Sequence, residues 1–410
     1  MNIKRLIKLS GVVIAIALIT TVMYYFINTM PPDGFTEDDK AIAVFEDASC
    51  VACHQKNSEA PLYAGIPVIG RIINNRRQNG YRMFNVGDSF DHIKKGEAVN
   101  EVSLAKIEWV TLFNPSMPPA TYYLTHWGAA INPAKRAIIR DWLHRHREQF
   151  YPAANPFRFE PVRPIPEAME VDPAKITAGK THFYDNRLSA EHAFSCASCH
   201  QPDRGGANNK QFALEAGKRL NTPTLYNATF NIAQGWIGHA ANIHELIRDH
   251  HGYEQADEAV IDAIAEYTQS LLTPDCSFDR YLKGDDQAIT PLAIYGYELF
   301  KSNKCAVCHA GITLGGQSFE LMGIYANYFK DRGWETVKED LGRYNVTADE
   351  ADRHRFKVPG LRNVALTKPY FHDGSRQSLA EAVQIMGKYQ SGKQISDNDV
   401  NAIVAFLETL

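Results

Sequence analysis

The chain has 410 residues, 45% hydrophobic and 22% charged, which is room for about two to three domains with their own cores. Its formal net charge is −4 and no polybasic run lies outside the extreme N-terminus, so nothing in the composition points to a nucleic-acid partner.

The first predicted element is an apolar stretch from Leu9 to Ile27, interrupted only by Ser10, Gly11, Thr20 and Thr21. It is just long enough to cross a bilayer. Lys4, Arg5 and Lys8 precede it, which puts the N-terminus on the cytoplasmic side, and Tyr24 and Tyr25 suit the outer interface. A cleaved signal peptide is the rival reading, but no small-x-small site follows before Pro31-Pro32. The expectation is an uncleaved anchor over 1–30.

A short helix from Thr36, its N-cap, to Phe45 then leads into Cys50-Val51-Ala52-Cys53-His54. C-x-x-C-H is the spacing that attaches haem c: two thioethers hold the porphyrin and the adjacent His takes one axial face of the iron. The pattern recurs at Cys196, Cys199 and His200 and at Cys305, Cys308 and His309. One copy could be a redox dithiol or half a zinc site. Three copies that consume six of seven cysteines point to three covalent haem c groups. The seventh, Cys276, reads as a free structural thiol.

Over 31–151 the candidate distal ligand is Met117, in Asn114-Pro115-Ser116-Met117-Pro118-Pro119, a soft thioether on a proline-stiffened loop. His92 and His126 are its rivals. A helix capped by Asn132, with Pro133 at its first position and Ile138, Ile139, Trp142 and Leu143 on one face, closes this region. Residues 152–173 hold six prolines and read as an extended linker. A second haem region follows over 174–288. The third, 289–410, opens with Thr290 as N-cap and Pro291, and ends in a helix capped by Ser396 with Val400, Ile403, Val404 and Leu407 on one face. The fold class expected is mainly α: three cytochrome c-like haem domains in tandem after a transmembrane helix.

Met117-Pro118-Pro119 with Tyr123, His126 and the Trp142 helix resembles the N-terminal haem domain of tri-haem bacterial peroxidases. Asn221-Thr222-Pro223-Thr224, the stretch from Phe230 to Ala240, Val358 to Asn363 and Pro369 to Ser375 resemble the bacterial dihaem cytochrome c peroxidase family. The resemblance covers nearly the whole chain after the first segment. It implies that Trp236 lies between two haems as an electron bridge, although a Trp fills core volume by default. It makes Met386 the axial ligand opposite His309, with Met322 as a rival thioether, and a calcium ion is implied at the side chain of Asn221 and the carbonyls of Thr367 and Pro369. The compartment implied is the bacterial periplasm, with the chain tethered to the inner membrane.

The sequence departs from that family where the chemistry should be. Peroxide reduction needs an iron with an open sixth position and a base that moves the peroxide proton. The family's G-P…E-M loop after the Trp is missing, its Asp-Gly-Arg is replaced by Ile237-Gly238-His239, and residues 201–220 contain no His. His239 or Glu245 could supply the base. A His from the 239, 244, 250 and 251 set could instead bind the iron, or these residues could simply be solvated. The leading reading is a periplasmic, membrane-anchored tri-haem peroxidase that reduces hydrogen peroxide with electrons from quinol or a small cytochrome. The alternatives are a tri-haem relay without peroxidase activity and an oxidase that modifies a partner protein.

Overall fold

A computed structural model describes residues 3–56, 58–120, 122–123, 126–152, 160–189, 192–213, 219–249 and 257–410, without the side chains of 3–9, 25, 63 and 69. It is mainly helical, and it divides into two compact units, Met1–Tyr151 and Pro152–Leu410, not into three tandem domains.

In the first unit, α1 (Ile3–Ile27) is followed by α2 (Glu37–Asp47), α3 (Pro67–Met83), α4 (Gly87–Lys95), α5 (Glu101–Glu108) and α6 (Pro133–Phe150). The Thr36 side chain accepts from the Asp39 N–H, and Asn132 does the same for Lys135, so both expected caps are made. The α2 and α6 faces meet in a core of Phe45, Phe90, Ile139, Trp142 and Leu143. Trp142 Nε1 donates to Asp38 at 2.9 Å, which satisfies the indole of a fully buried ring.

The expected membrane anchor is corrected. Among the described residues no helix is long and apolar enough to cross a membrane. Lys4, Arg5 and Lys8 lie inside α1 itself, so charged residues interrupt its first turns. At its end Asn28 Nδ2 donates to the Trp127 carbonyl at 2.8 Å. The inner-membrane placement that depended on that anchor falls with it.

In the second unit, α7 (Pro173–Phe183) packs on α9 (Glu258–Gln269), with α8 (Ile243–Arg248) completing a core of Phe183, Ile243, Ile247, Ile261 and Ile264. The helices cross so closely at Gly179 that a Cβ would sit 1.9 Å from the Ala263 carbonyl oxygen. A second core forms where α10 (Ser277–Leu282), α11 (Pro291–Ser302) and α13 (Asp397–Leu407) bring Phe278, Tyr297, Phe300 and Phe406 together. Ahead of α13 lies α12 (Leu379–Met386), and β1 (Phe319–Leu321) pairs antiparallel with β2 (Arg355–Lys357), Phe319 opposite Lys357.

Residues 160–165, expected in a linker, are part of this unit. Tyr297 Oη donates to Glu160 at 2.6 Å, and Val162 and Ile165 are buried. Arg362 explains why no third domain separates: it pairs with buried Asp279 at 2.7 Å and donates to the carbonyls of Ile312 and Arg163. Removing it would strand a buried carboxylate.

The first unit contains a pH-sensitive core contact. His146 Nε2 accepts from the Val99 N–H at 2.9 Å, a bond that requires an unprotonated Nε2. Burial lowers the His146 pKa to about 4, the nearby Asp38 carboxylate opposing this only in part. Between about pH 6.5 and 4 the unfolded chain therefore binds a proton that the fold refuses, and stability falls as pH falls. The prediction is a loss of roughly 3 kcal/mol across this window, from 1.36 kcal/mol per unit, in urea unfolding followed by circular dichroism. His146→Gln flattens that slope, and an unchanged slope in the variant contradicts the assignment.

Candidate functional site

In each C-x-x-C-H the two cysteines share one helical turn, which His54 ends in the first copy and which His200 and His309 directly follow in the others. The three imidazoles share one contact. His54 Nδ1 meets the Phe84 carbonyl at 2.9 Å, His200 Nδ1 the Gly206 carbonyl at 3.1 Å, and His309 Nδ1 the Leu314 carbonyl at 2.9 Å. A carbonyl only accepts, so Nδ1 carries the hydrogen and Nε2 keeps the lone pair that a metal needs. Burial lowers the pKa of His54 and His309, which keeps the rings neutral. It also pushes the thiols of Cys50 and Cys305 up to about 12, since these sulfurs lie in low-dielectric surroundings.

One large cavity in the second unit fits a haem. Cys305, Cys308 and His309 line it together with Met386, Met322, Phe300 and Trp236. Of the two thioethers, the Met322 sulfur is contacted by Gln390 Nε2 at 3.7 Å. Trp236 is pinned on both sides: its Nε1 donates to the Asn221 carbonyl at 2.8 Å and its own carbonyl accepts from the Lys357 N–H at 2.8 Å. The Asn221 N–H in turn donates to the His372 carbonyl at 2.7 Å, and the His372 ring stands edge-on to Trp236 at 6.4 Å.

The expected calcium positions, Asn221, Thr367 and Pro369, line the same cavity. Asn221 Nδ2 donates to the Lys210 carbonyl at 2.9 Å, which turns its side-chain oxygen away from that partner. Among the described residues no group of three or more His, Cys, Asp or Glu could hold a metal, so any ion here would depend on amide and carbonyl oxygens.

Of the expected distal residues, His239 lies on a turn closed by the Gln234 N–H and the Ala240 carbonyl at 2.7 Å, and Glu245 lies in α8. His239 is exposed and folds back over Gly235, whose φ of +73° only glycine adopts freely. Glu245 does something local: its carboxylate accepts from the Ala241 N–H at 2.7 Å while its own N–H is capped by Asn242. His244 pairs with Asp262 at 3.2 Å, and His250 and His251 lie outside the described residues. In the first unit Met117 is 37% exposed, His126 stacks on Tyr122 at 3.9 Å, and the His92 ring meets the Ala98 carbonyl at 2.8 Å. Cys276 caps α10 and its sulfur accepts from Arg362 at 3.1 Å, a structural role.

Sequence reasoning missed a buried cluster behind Trp236. Arg332 bridges Asp340 and Asp373, His372 Nε2 meets Asp340 at 3.0 Å, and Tyr328 Oη donates to Asp373 at 2.9 Å. Burial alone would raise the Asp340 pKa, but hydrogen bonds from His372 and Arg332 outweigh it and hold the carboxyl well below its usual range. Its members are scattered over three segments, so no spacing announces them.

Three families match successive parts of the chain: a haem-binding domain over residues 18–145, di-haem cytochrome c peroxidase over 173–251, and cytochrome c over 293–410. Each match contains one C-x-x-C-H, and haem c binding follows. A cytochrome c peroxidase of Escherichia coli is 35% identical over 98% of this chain and 96% of its own length. Cytochrome c551 peroxidases of Nitrosomonas europaea and Pseudomonas aeruginosa are 37% and 36% identical over 61% and 60% of this chain and 84% and 83% of theirs. A MauG-like protein associated with microbial copper homeostasis shares the fold, with a TM-score of 0.51 and 24% identity over 60% of this chain and 91% of its own.

The turn that presents His239 gives a direct test. A Cβ at Gly235 would lie 2.5 Å from His239 Cε1 and 2.7 Å from Nδ1. Gly235→Ala should therefore displace the imidazole and cost about 1–2 kcal/mol from the left-handed backbone, read as a lower Tm. An unchanged Tm would show that the turn relaxes freely and does not hold His239.

Proposed function

The chain belongs to the cytochrome c peroxidase family, and from that premise we propose a peroxidase that carries three covalent haem c groups, at His54, His200 and His309. Bound haem supplies redox-active iron and, at the His200 position, an open coordination site where hydrogen peroxide is reduced. The chain does the rest. Three carbonyl-oriented imidazoles would offer Nε2 to the metal, and Met117 and Met386 would hold the outer two groups with thioethers, which raise a haem's potential relative to a second His.

The observation that carries the reading is the placement of Trp236. It walls the His309 cavity, its indole bonded to the Asn221 carbonyl and its own carbonyl held by the Lys357 N–H of β2, so it joins the 221–245 segment to the wall of that cavity. A rigid indole there shortens the electron path between the His309 and His200 positions. A calcium ion on the Asn221 side chain and the Thr367 and Pro369 carbonyls would brace the same residue that anchors Trp236.

Turning one peroxide into two waters consumes two electrons and two protons. Quinol or a small cytochrome supplies the electrons, with the His54 unit as their entry. Proton transfer we assign to His239, since the Glu245 carboxylate already caps its own helix.

Two readings test this together. The mass of the intact holoprotein should account for three attached haems, and two would remove the entry site. In steady-state peroxide reduction His239→Gln should lower kcat by about a hundredfold, within the range for losing a general acid–base group, while Glu245→Gln stays near wild type. The reverse pattern would transfer the role to Glu245, and full turnover in both would refute a side-chain base on this turn.

A further inference from the structure

The cavity that takes the Cys305/Cys308 haem contains one cation with no counter-charge. Lys357, at the end of β2, is only 7% exposed and lines this cavity. Among the described residues nothing pairs with its ammonium, and burial, with no charged group opposing it, pulls the pKa down to about 8. The other charged liners are occupied. Lys304 Nζ donates to Tyr325 Oη at 2.9 Å, Arg362 pairs with Asp279 at 2.7 Å and His372 pairs with Asp340 at 3.0 Å, while Glu320 stands opposite Phe356 in the strand pair and forms no ion pair with Lys357.

An isolated buried ammonium costs several kcal/mol, so a fold that keeps one has a partner for it. A second polar group that lines this cavity makes the same demand: the hydroxyl of Thr222 is buried and, among the described residues, meets no acceptor or donor. Both groups can bind a carboxylate oxygen, and haem is the expected occupant that brings carboxylates, on its two propionate arms.

We infer that Lys357 is the counter-ion of a propionate on the haem attached at Cys305 and Cys308, and that this contact sets how readily that haem is reduced. Lys357 is a positioning and tuning residue, acting through the propionate. Its backbone N–H also holds the Trp236 carbonyl, so the residue that tunes the electron store belongs to the same strand end that fixes the bridge. The inference rests on this haem occupying the cavity, as proposed above.

Lys357→Met keeps the unbranched stem and removes the charge, a change that buried sites tolerate when the volume is matched. Without the ammonium the propionate charge stabilises the ferric form. At a fixed poise the ratio of reduced to oxidised haem should fall about tenfold, about 59 mV for a one-electron couple. The propionate-deformation band in the resonance Raman spectrum should shift as well, and Lys357→Arg should return both towards wild type. An unchanged potential with an unmoved band, in a variant that keeps its haem, overturns the inference. So does a shifted potential with an unmoved band, which would mean charge acting at a distance without contact. Failure of the underlying reading looks different: Cys305→Ala/Cys308→Ala would then lose no covalent haem.

Discussion

The structure depends on a hydrogen bond that the imidazole of each C-x-x-C-H motif makes to a backbone carbonyl. His54, His200 and His309 all place Nδ1 on a carbonyl oxygen, and that single choice fixes the tautomer, the ring orientation and the free Nε2. The carbonyls come from Phe84, Gly206 and Leu314, so each imidazole depends on a backbone segment outside its own motif. Much of the surrounding architecture serves that purpose. In the first unit the Val86 N–H closes on the His54 carbonyl at 2.7 Å, while in the second the Gln201 and Ala207 backbones pair around Gly206.

The second unit adds a constraint of its own. Trp236 is tied to Asn221, Asn221 to His372, and His372 through Asp340 to Arg332, an unbroken chain of hydrogen bonds from a cavity wall into a buried ion cluster. Buried ion pairs add little net stability when set against apolar packing. What such a cluster does supply is geometry: with Arg332 bridging two carboxylates, His372 has one position, and so does the indole beside it. Arg362 performs the same service between α10 and the segment after Arg163.

Much of this was legible in the sequence, and the rest failed for identifiable reasons. The caps at Thr36, Asn132, Thr290 and Ser396 were readable because a side-chain oxygen before a helix has a local signature. The haem motifs were readable because covalent attachment demands fixed residue types. The carbonyl partners of the three imidazoles were not, since any residue can offer a carbonyl. The Arg362 contacts join positions 86 and 199 residues away, where no periodicity reaches. The N-terminal apolar run misled because hydropathy counts residues, whereas a membrane span needs an apolar length that no described helix provides. Glu245 read as a candidate base from its neighbourhood, and the contact its carboxylate makes with the Ala241 N–H has no signature in the spacing. Lys357 gave no signal, because a lysine in a strand is ordinarily solvated and only burial makes it informative.

The central claim is that the His200 position takes peroxide while the His309 position stores and delivers electrons by way of Trp236. The most direct test is the electron paramagnetic resonance spectrum of the holoprotein poised with its two His/Met haems reduced, recorded before and immediately after hydrogen peroxide is added. The account predicts a high-spin ferric signal from the central haem beforehand and prompt reoxidation of the other two afterwards. A low-spin bis-His signal with no fast reoxidation would contradict it.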